Sequence, residues 1–229
     1  MWKPLLNLYQ RYAAQKIFTR WSPVYDDEVA VLSYSAADQV AAATLRHIPG
    51  SSVEEPLHIA DIGIGTGLLA QQIWEAVPCL IAGLDFSEDM MAICSQKEVA
   101  ELLIKCDVGR DHWPLQEDAY DVVMASGLFE YLTPPMVQHF LKETTRLLKP
   151  GGLVIFSYIP SEQENGSYTI WPGRNGRFVR CEYTPAKLEA DVVAKGFKIL
   201  EHKEPFDGSV FADGSSFSYR LIVAQKLAA

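Results

Sequence analysis

The spacing of apolar residues between positions 57 and 157 constrains this chain more than any other feature. Leu57–Asp61, Cys79–Asp85, Leu102–Cys106, Tyr120–Ala125 and Leu153–Ser157 are short apolar runs of strand length. Between them the sequence takes on helical character: one stretch runs through Ile73 and Val77, and another starts at the capping residue Ser87. A third starts at Thr133–Pro134 and carries Met136, Val137, Phe140, Leu141, Thr144, Leu147 and Leu148 before Pro150-Gly151-Gly152 stops it. Apolar strands alternating with helices need cover on both faces, which predicts a parallel sheet with helices on each side.

The flanks differ from this centre. Residues 5 to 20 and 36 to 48 fit amphipathic helices, the second with Val40, Ala41, Thr44, Leu45 and Ile48 on one side. Together they make residues 1–50 a helical N-terminal cap on a single domain spanning 1–229. Near the other end, Thr184–Pro185 opens a short helix that Gly196 closes. Phe197–Lys203 and Phe217–Gln225 then read as an antiparallel pair at the sheet edge. Residues 160–183 are polar, glycine-rich and dotted with aromatics, a composition that predicts a mobile lid.

The formal net charge is −9, which repels phosphate backbones and argues against nucleic acid as partner. Cys79, Cys94, Cys106 and Cys181 form no C-x-x-C pair, so no zinc or other metal site is expected. They read as free, mostly buried thiols of a reducing compartment. No apolar run is long enough to cross a membrane, and the N-terminus lacks the core of a signal peptide, which predicts a cytoplasmic protein.

The chemistry begins at Asp61-Ile62-Gly63-Ile64-Gly65-Thr66-Gly67, where the first strand meets its helix. Glycines there let backbone approach a ligand closely. A dinucleotide loop would need a small residue at the next position, and this chain has Leu68. Asp85 ends the second strand and is suited to ribose hydroxyls, and Asp107 follows the third, within reach of an adenine amine. Acids at three consecutive strand ends, none matched by a lysine, fit an adenosine ligand that carries positive charge rather than a pyrophosphate.

These segments resemble class I S-adenosylmethionine (SAM)-dependent methyltransferases. Leu57–Ala70 looks like the family's first motif, and Gly83-Leu84-Asp85-Phe86-Ser87 with Met90 looks like its ribose-binding segment. Trp113-Pro114-Leu115, Tyr120–Val123 and Leu147–Gly152 look like the later motifs. The resemblance implies a Rossmann-like α/β fold with a seven-stranded sheet and an antiparallel edge hairpin. It implies SAM as cofactor, held by Asp61, Gly63, Gly65, Gly67, Asp85, Phe86, Met90, Asp107, Val108 and Ser126. A second, shorter likeness covers Trp21–Val29 with Tyr34, similar to methyltransferase-like proteins of the Williams–Beuren region type.

The acceptor signatures of nucleic-acid and protein methylases are missing. Ser126-Gly127-Leu128-Phe129 stands where adenine and cytosine N-methylases carry D/N-P-P-Y. Glu130 stands alone where arginine methylases have two glutamates. A small-molecule acceptor follows, with nitrogen, oxygen and carbon all open. Glu130 and Tyr25 are the candidate catalytic residues, and Trp21, Phe129, Tyr131, Trp171, Arg174, Arg177 and Arg180 are candidates for holding the acceptor. His58 is expected to be buried in the first strand. Two other readings remain: a SAM-binding regulator without catalysis, and a nicotinamide-dependent oxidoreductase, which Leu68 argues against.

Overall fold

The computed structural model describes residues 14–32, 34–163, 166–173, 176–210 and 216–228. Helix α1 occupies residues 14–21, so the N-terminal half of the expected 5–20 helix lies outside the described residues. A 3-10 turn at Ser22–Val24 leads into α2 (Tyr25–Val31) and α3 (Ala36–His47). The alternating region follows as β1 (Leu57–Ile62), α4 (Leu68–Ala76), β2 (Cys79–Asp85), α5 (Glu88–Gln96), β3 (Leu102–Lys105) and β4 (Tyr120–Ala125). A 3-10 turn at Phe129–Tyr131 precedes α6 (Pro134–Leu147) and β5 (Leu148–Tyr158). The remainder is β6 (Ser167–Gly173), β7 (Gly176–Glu182), α7 (Pro185–Ala194), β8 (Phe197–His202), β9 (Phe206–Val210) and β10 (Ser216–Lys226).

The main sheet runs β3-β2-β1-β4-β5-β10-β8, with β9 paired to β10 as an eighth strand. Strands β1 to β5 are parallel, and β10 lies antiparallel between β5 and β8. The expected seven-strand path and antiparallel edge are present. The extra strand arises because β10 runs beyond its partners, and its first residues, Ser216–Tyr219, pair with β9. Strand β9 also fixes the start of α3, since the Ser35 backbone N–H donates to the Gly208 carbonyl at 2.8 Å and its hydroxyl to the Asp207 carbonyl at 2.6 Å.

Alternation along each strand builds two cores. Ile59, Ile81, Val122, Met124, Ile155 and Val223 face α3, α4 and α5, where Val40, Ile73 and Cys94 are fully buried. Ala60, Leu84, Val123, Phe156 and Ile222 face the other way, against Phe140 and Leu141 of α6 and Leu188 and Val192 of α7. All four cysteines are free and buried, as expected.

Four readings change. Helix α6 ends at Leu147 and β5 begins at once, ahead of Pro150, because a residue before proline is pushed toward extended backbone. Leu45 on α3 is exposed rather than packed with Val40. His58 is exposed, because β1 starts near the sheet's rim and only its later residues are covered on both faces. Residues 160–183 are largely a regular hairpin, β6 with β7, paired from Ser167↔Glu182 to Gly173↔Gly176. Its base joins the body through Ser161 N–H donating to the Tyr183 carbonyl and Tyr183 N–H to that of Ile159, both at 2.9 Å.

Candidate functional site

Strands β1 and β4 are neighbours whose connections leave in opposite directions, and a cleft opens there beyond the strand ends. Gly63, Gly65 and Gly67 turn the chain from β1 into α4 at φ of +77°, +55° and +82°, a backbone region side chains disfavour. At Gly67 space is closed as well: an added Cβ would fall 2.7 Å from Cys94 Sγ. Asp85 braces this loop, its Oδ2 accepting the Gly65 N–H at 2.9 Å and its Oδ1 the Ser87 N–H at 2.8 Å.

Asp61 lies beneath the loop, 1% exposed, and its Oδ2 has no hydrogen-bond partner. Burial, and then the charge of Asp85, push its carboxyl pKa to about 8. Burial raises Asp85 as well, to about 6, against the lowering pull of the backbone N–H groups it accepts from. Two buried carboxylates with one oxygen unpartnered make an electrostatic vacancy for a cation. The cleft above them is walled by Tyr25, Tyr34, Ala37, Thr66 and Ser126.

The N-terminal helices close over this cleft. The Thr66 hydroxyl donates to Asp26 Oδ1 at 2.6 Å, and Lys97 Nζ pairs with Asp26 Oδ2 at 2.7 Å. Trp21 Nε1–H donates to Glu28 at 2.8 Å, and its ring meets Tyr25 edge-on at 4.7 Å between centroids. Phe18 links this cover to the sheet, 6.1 Å from Phe86 and 5.2 Å from Tyr131. Trp21, Tyr25, Phe86 and Tyr131 are therefore brought together.

At the end of β4, the Gly127 N–H donates to the Ser157 hydroxyl at 3.2 Å. Glu130 follows in the 3-10 turn and is 6% exposed. Its Oε1 accepts the Tyr219 hydroxyl at 2.8 Å, and its Oε2 is buried without a partner. Burial raises its pKa more than its own backbone N–H, the Tyr219 hydrogen bond and the Arg180 charge lower it.

Residues 59–152 match the methyltransferase domain family. Solved methyltransferases share the fold: one in complex with the Haloferax volcanii Trm112 activator superposes with a TM-score of 0.71 at 17% identity, covering 94% of this chain and 98% of the other. Residues 59–152 are thus similar to a methyltransferase domain in sequence, and the chain shares the fold of solved SAM-dependent methyltransferases. Another member of this fold is the Burkholderia thailandensis 1,6-didemethyltoxoflavin-N1-methyltransferase, solved with that compound and S-adenosylhomocysteine. It gives a TM-score of 0.68 at 18% identity and covers 95% of this chain and 90% of that one. By sequence, human methyltransferase-like protein 27 is 30% identical over 146 residues, 62% of this chain and 56% of that protein. Bacillus cereus demethylmenaquinone methyltransferase is 30% identical over 151 residues, 61% and 59% respectively. The chain thus spans little more than half the length of these relatives.

Not every candidate residue reaches the cleft. Phe129 is a correction: it is fully buried, stacked on Phe156 at 4.2 Å and edge-on to Phe140 at 5.0 Å, because the 3-10 turn rotates it into the core. Arg180 does not stand free in a lid, as its guanidinium pairs with Glu182 at 2.5 Å and lies over the Phe217 ring at 4.7 Å. Arg174 lies outside the described residues, and Trp171 and Arg177 are described by backbone alone, paired within the β6–β7 hairpin. Met90 and Val108 are buried, and Asp107 Oδ1 accepts the Gly109 N–H at 3.3 Å. Among the described residues no group of His, Cys, Asp and Glu is arranged to hold a metal.

Sequence reasoning missed Phe18, Asp26, Thr66, Lys97 and Tyr219. Asp26 sits inside the quoted Trp21–Val29 segment and Thr66 inside the glycine loop, so their neighbourhood was a signal. Tyr219 had none, being joined to the site only through the placement of β10.

Proposed function

We propose that this protein binds SAM in the cleft at the ends of β1, β2 and β4 and transfers its methyl group to a small-molecule acceptor. The partnerless Oδ2 of Asp61, buried beside Asp85, carries this reading. A cation is the ligand that would relieve it, and SAM brings both a sulfonium and an ammonium. Bound SAM supplies a methyl group activated by its positive sulfur.

The remaining work belongs to the chain's own residues. Asp61 pairs with positive charge. Asp85, held by two backbone N–H groups, keeps lone pairs for ribose hydroxyls. Gly63, Gly65 and Gly67 provide a surface without side chains, and Phe86, Met90, Asp107, Val108 and Ser126 complete the cofactor side. Trp21, Tyr25, Phe18 and Tyr131 exclude water, and orientation in a dry site lowers the barrier by several kcal/mol, on the order of 7–11 at best. The β6–β7 hairpin packs on the turn that carries Glu130, which supports reading it as a wall of the acceptor side.

A small acceptor is supported by the printed names of relatives that act on demethylmenaquinone and in ubiquinone biosynthesis. The net charge of −9 argues against nucleic acid. No helix among the described residues is long and apolar enough to cross a membrane. The buried free thiols support a reducing, cytoplasmic setting. Calorimetric titration with SAM, S-adenosylhomocysteine and NAD tests the reading. Micromolar binding of the first two is expected, and a preference for NAD overturns it.

A further inference from the structure

Glu130 has chemistry that cofactor binding does not use. It is 6% exposed, and only one of its two oxygens is satisfied within the fold. Leaving a buried acceptor unpartnered is costly, and more so if it is charged. Core packing alone would favour an apolar residue here.

Its surroundings are aromatic, with one cation, Arg180, whose charge also acts on it. Tyr219 donates to Oε1, and the Tyr219 ring meets Tyr34 edge-on at 6.1 Å between centroids. The Tyr34 hydroxyl lies against Gly127, where an added Cβ would be 2.4 Å from it and 3.8 Å from Glu130 Oε1. Tyr34 and Tyr25 also wall the cofactor cleft, which joins Glu130's shell to the place where the methyl group would lie. Burial first, and then the charge of Glu130, raise the phenol pKa of Tyr25, Tyr34, Tyr131 and Tyr219.

Resting on the proposed function, we infer that Glu130 Oε2 and its tyrosine shell form the acceptor subsite, built for an amine or other basic N–H compound. A carboxylate oxygen without a partner calls for a donor. Tyrosine faces attract cations, so a protonated nitrogen is favoured over a neutral alcohol. A carboxylic acid acceptor would bring a second negative charge beside Glu130 in a low-dielectric pocket, where the nearby Arg180 is already paired with Glu182. In the step itself the N–H proton passes to Glu130 Oε2 and the nitrogen lone pair forms the new N–C bond. The C–S bond breaks, and its electron pair stays on sulfur. Tyr219 is a positioning residue, holding Oε1 so that Oε2 faces the acceptor.

The test uses the full chain saturated with S-adenosylhomocysteine and three probes of similar size: benzylamine, benzyl alcohol and benzoate. Benzylamine should bind at least tenfold more tightly than the other two. In Glu130→Gln that preference should fall below threefold with S-adenosylhomocysteine affinity unchanged. In Tyr219→Phe the loss of the hydrogen bond should move the pH midpoint of benzylamine binding upward. Equal or tighter binding of benzyl alcohol or benzoate, no binding of benzylamine, an intact preference in Glu130→Gln, or an unmoved midpoint in Tyr219→Phe overturns the inference. Failure of S-adenosylhomocysteine to bind at all is a separate result, and it defeats the proposed function instead.

Discussion

The Thr66 hydroxyl donates a 2.6 Å hydrogen bond to Asp26, which ties the glycine loop to a helix that precedes the whole sheet in sequence. Lys97, beyond α5, holds the other oxygen of the same carboxylate. One side chain thus latches the N-terminal cover to both flanks of the cofactor cleft.

Asp26→Ala should loosen that cover without unfolding the sheet. The pair is partly exposed, so the expected loss is about 1 kcal/mol of cover stability, at the weaker end for charged hydrogen bonds. Limited proteolysis should cut more readily between residues 14 and 35, and SAM affinity should drop severalfold. Unchanged cleavage and affinity would make the latch incidental.

Asp61 and Asp85 make the free protein sensitive to alkali. Their folded pKa values, about 8 and about 6, lie above the ordinary carboxylate value near 3.8. The folded state therefore holds protons that the unfolded chain has lost, and unfolding free energy falls as pH rises from about 4 to 8. Scanning calorimetry should show the ligand-free melting temperature dropping across that window, and Asp61→Asn should flatten most of the fall. A cation in the cleft favours both charged forms, so SAM binding should release protons at pH 7 and strengthen toward pH 8. A flat melting profile in the wild type would remove this electrostatic account.

Asp85→Ala should weaken SAM binding tenfold or more, since hydrogen bonds to charged groups contribute about 1.5–3 kcal/mol. It also frees the Gly65 and Ser87 N–H groups, so part of the loss comes from a slackened glycine loop. Titration of a variant whose circular dichroism is unchanged separates the two possibilities, and an unaltered dissociation constant would take Asp85 out of the site.

Gly67→Ala places a Cβ at φ +82° and 2.7 Å from Cys94 Sγ. Strain of this kind costs about 1–3 kcal/mol, so the melting temperature should drop by several degrees. The double variant Gly67→Ala with Cys94→Ala should recover the steric share and keep the backbone share. Full tolerance of Gly67→Ala alone would contradict the observed packing.

The strands, the glycine loop and the acids were legible because each depends on residues adjacent in the chain. Short apolar runs of strand length and a G-x-G-x-G turn need no knowledge of distant partners. Phe129 was misread because a single 3-10 turn decides which way it points, and three residues carry no periodicity. Leu45 and His58 were misread because burial depends on what lies above a helix or beyond a strand's end. Glu130 was visible as an acid, but its partner Tyr219 lies 89 residues on, in a strand inserted out of sequence order. No local pattern encodes such a meeting.

That insertion of β10 between β5 and β8 sets an order of events during synthesis. Strands β1 to β5 emerge first and can assemble with their helices, but β5 then waits with an open edge. Strand β8 cannot fill the gap, because its own partner has yet to be made. When residues 216–226 leave the ribosome, they close the sheet and deliver Tyr219 to Glu130 together. A nascent chain stalled before that point would hold a nearly finished cofactor cleft, an unpaired strand edge for chaperones to guard, and a Glu130 still lacking its tyrosine.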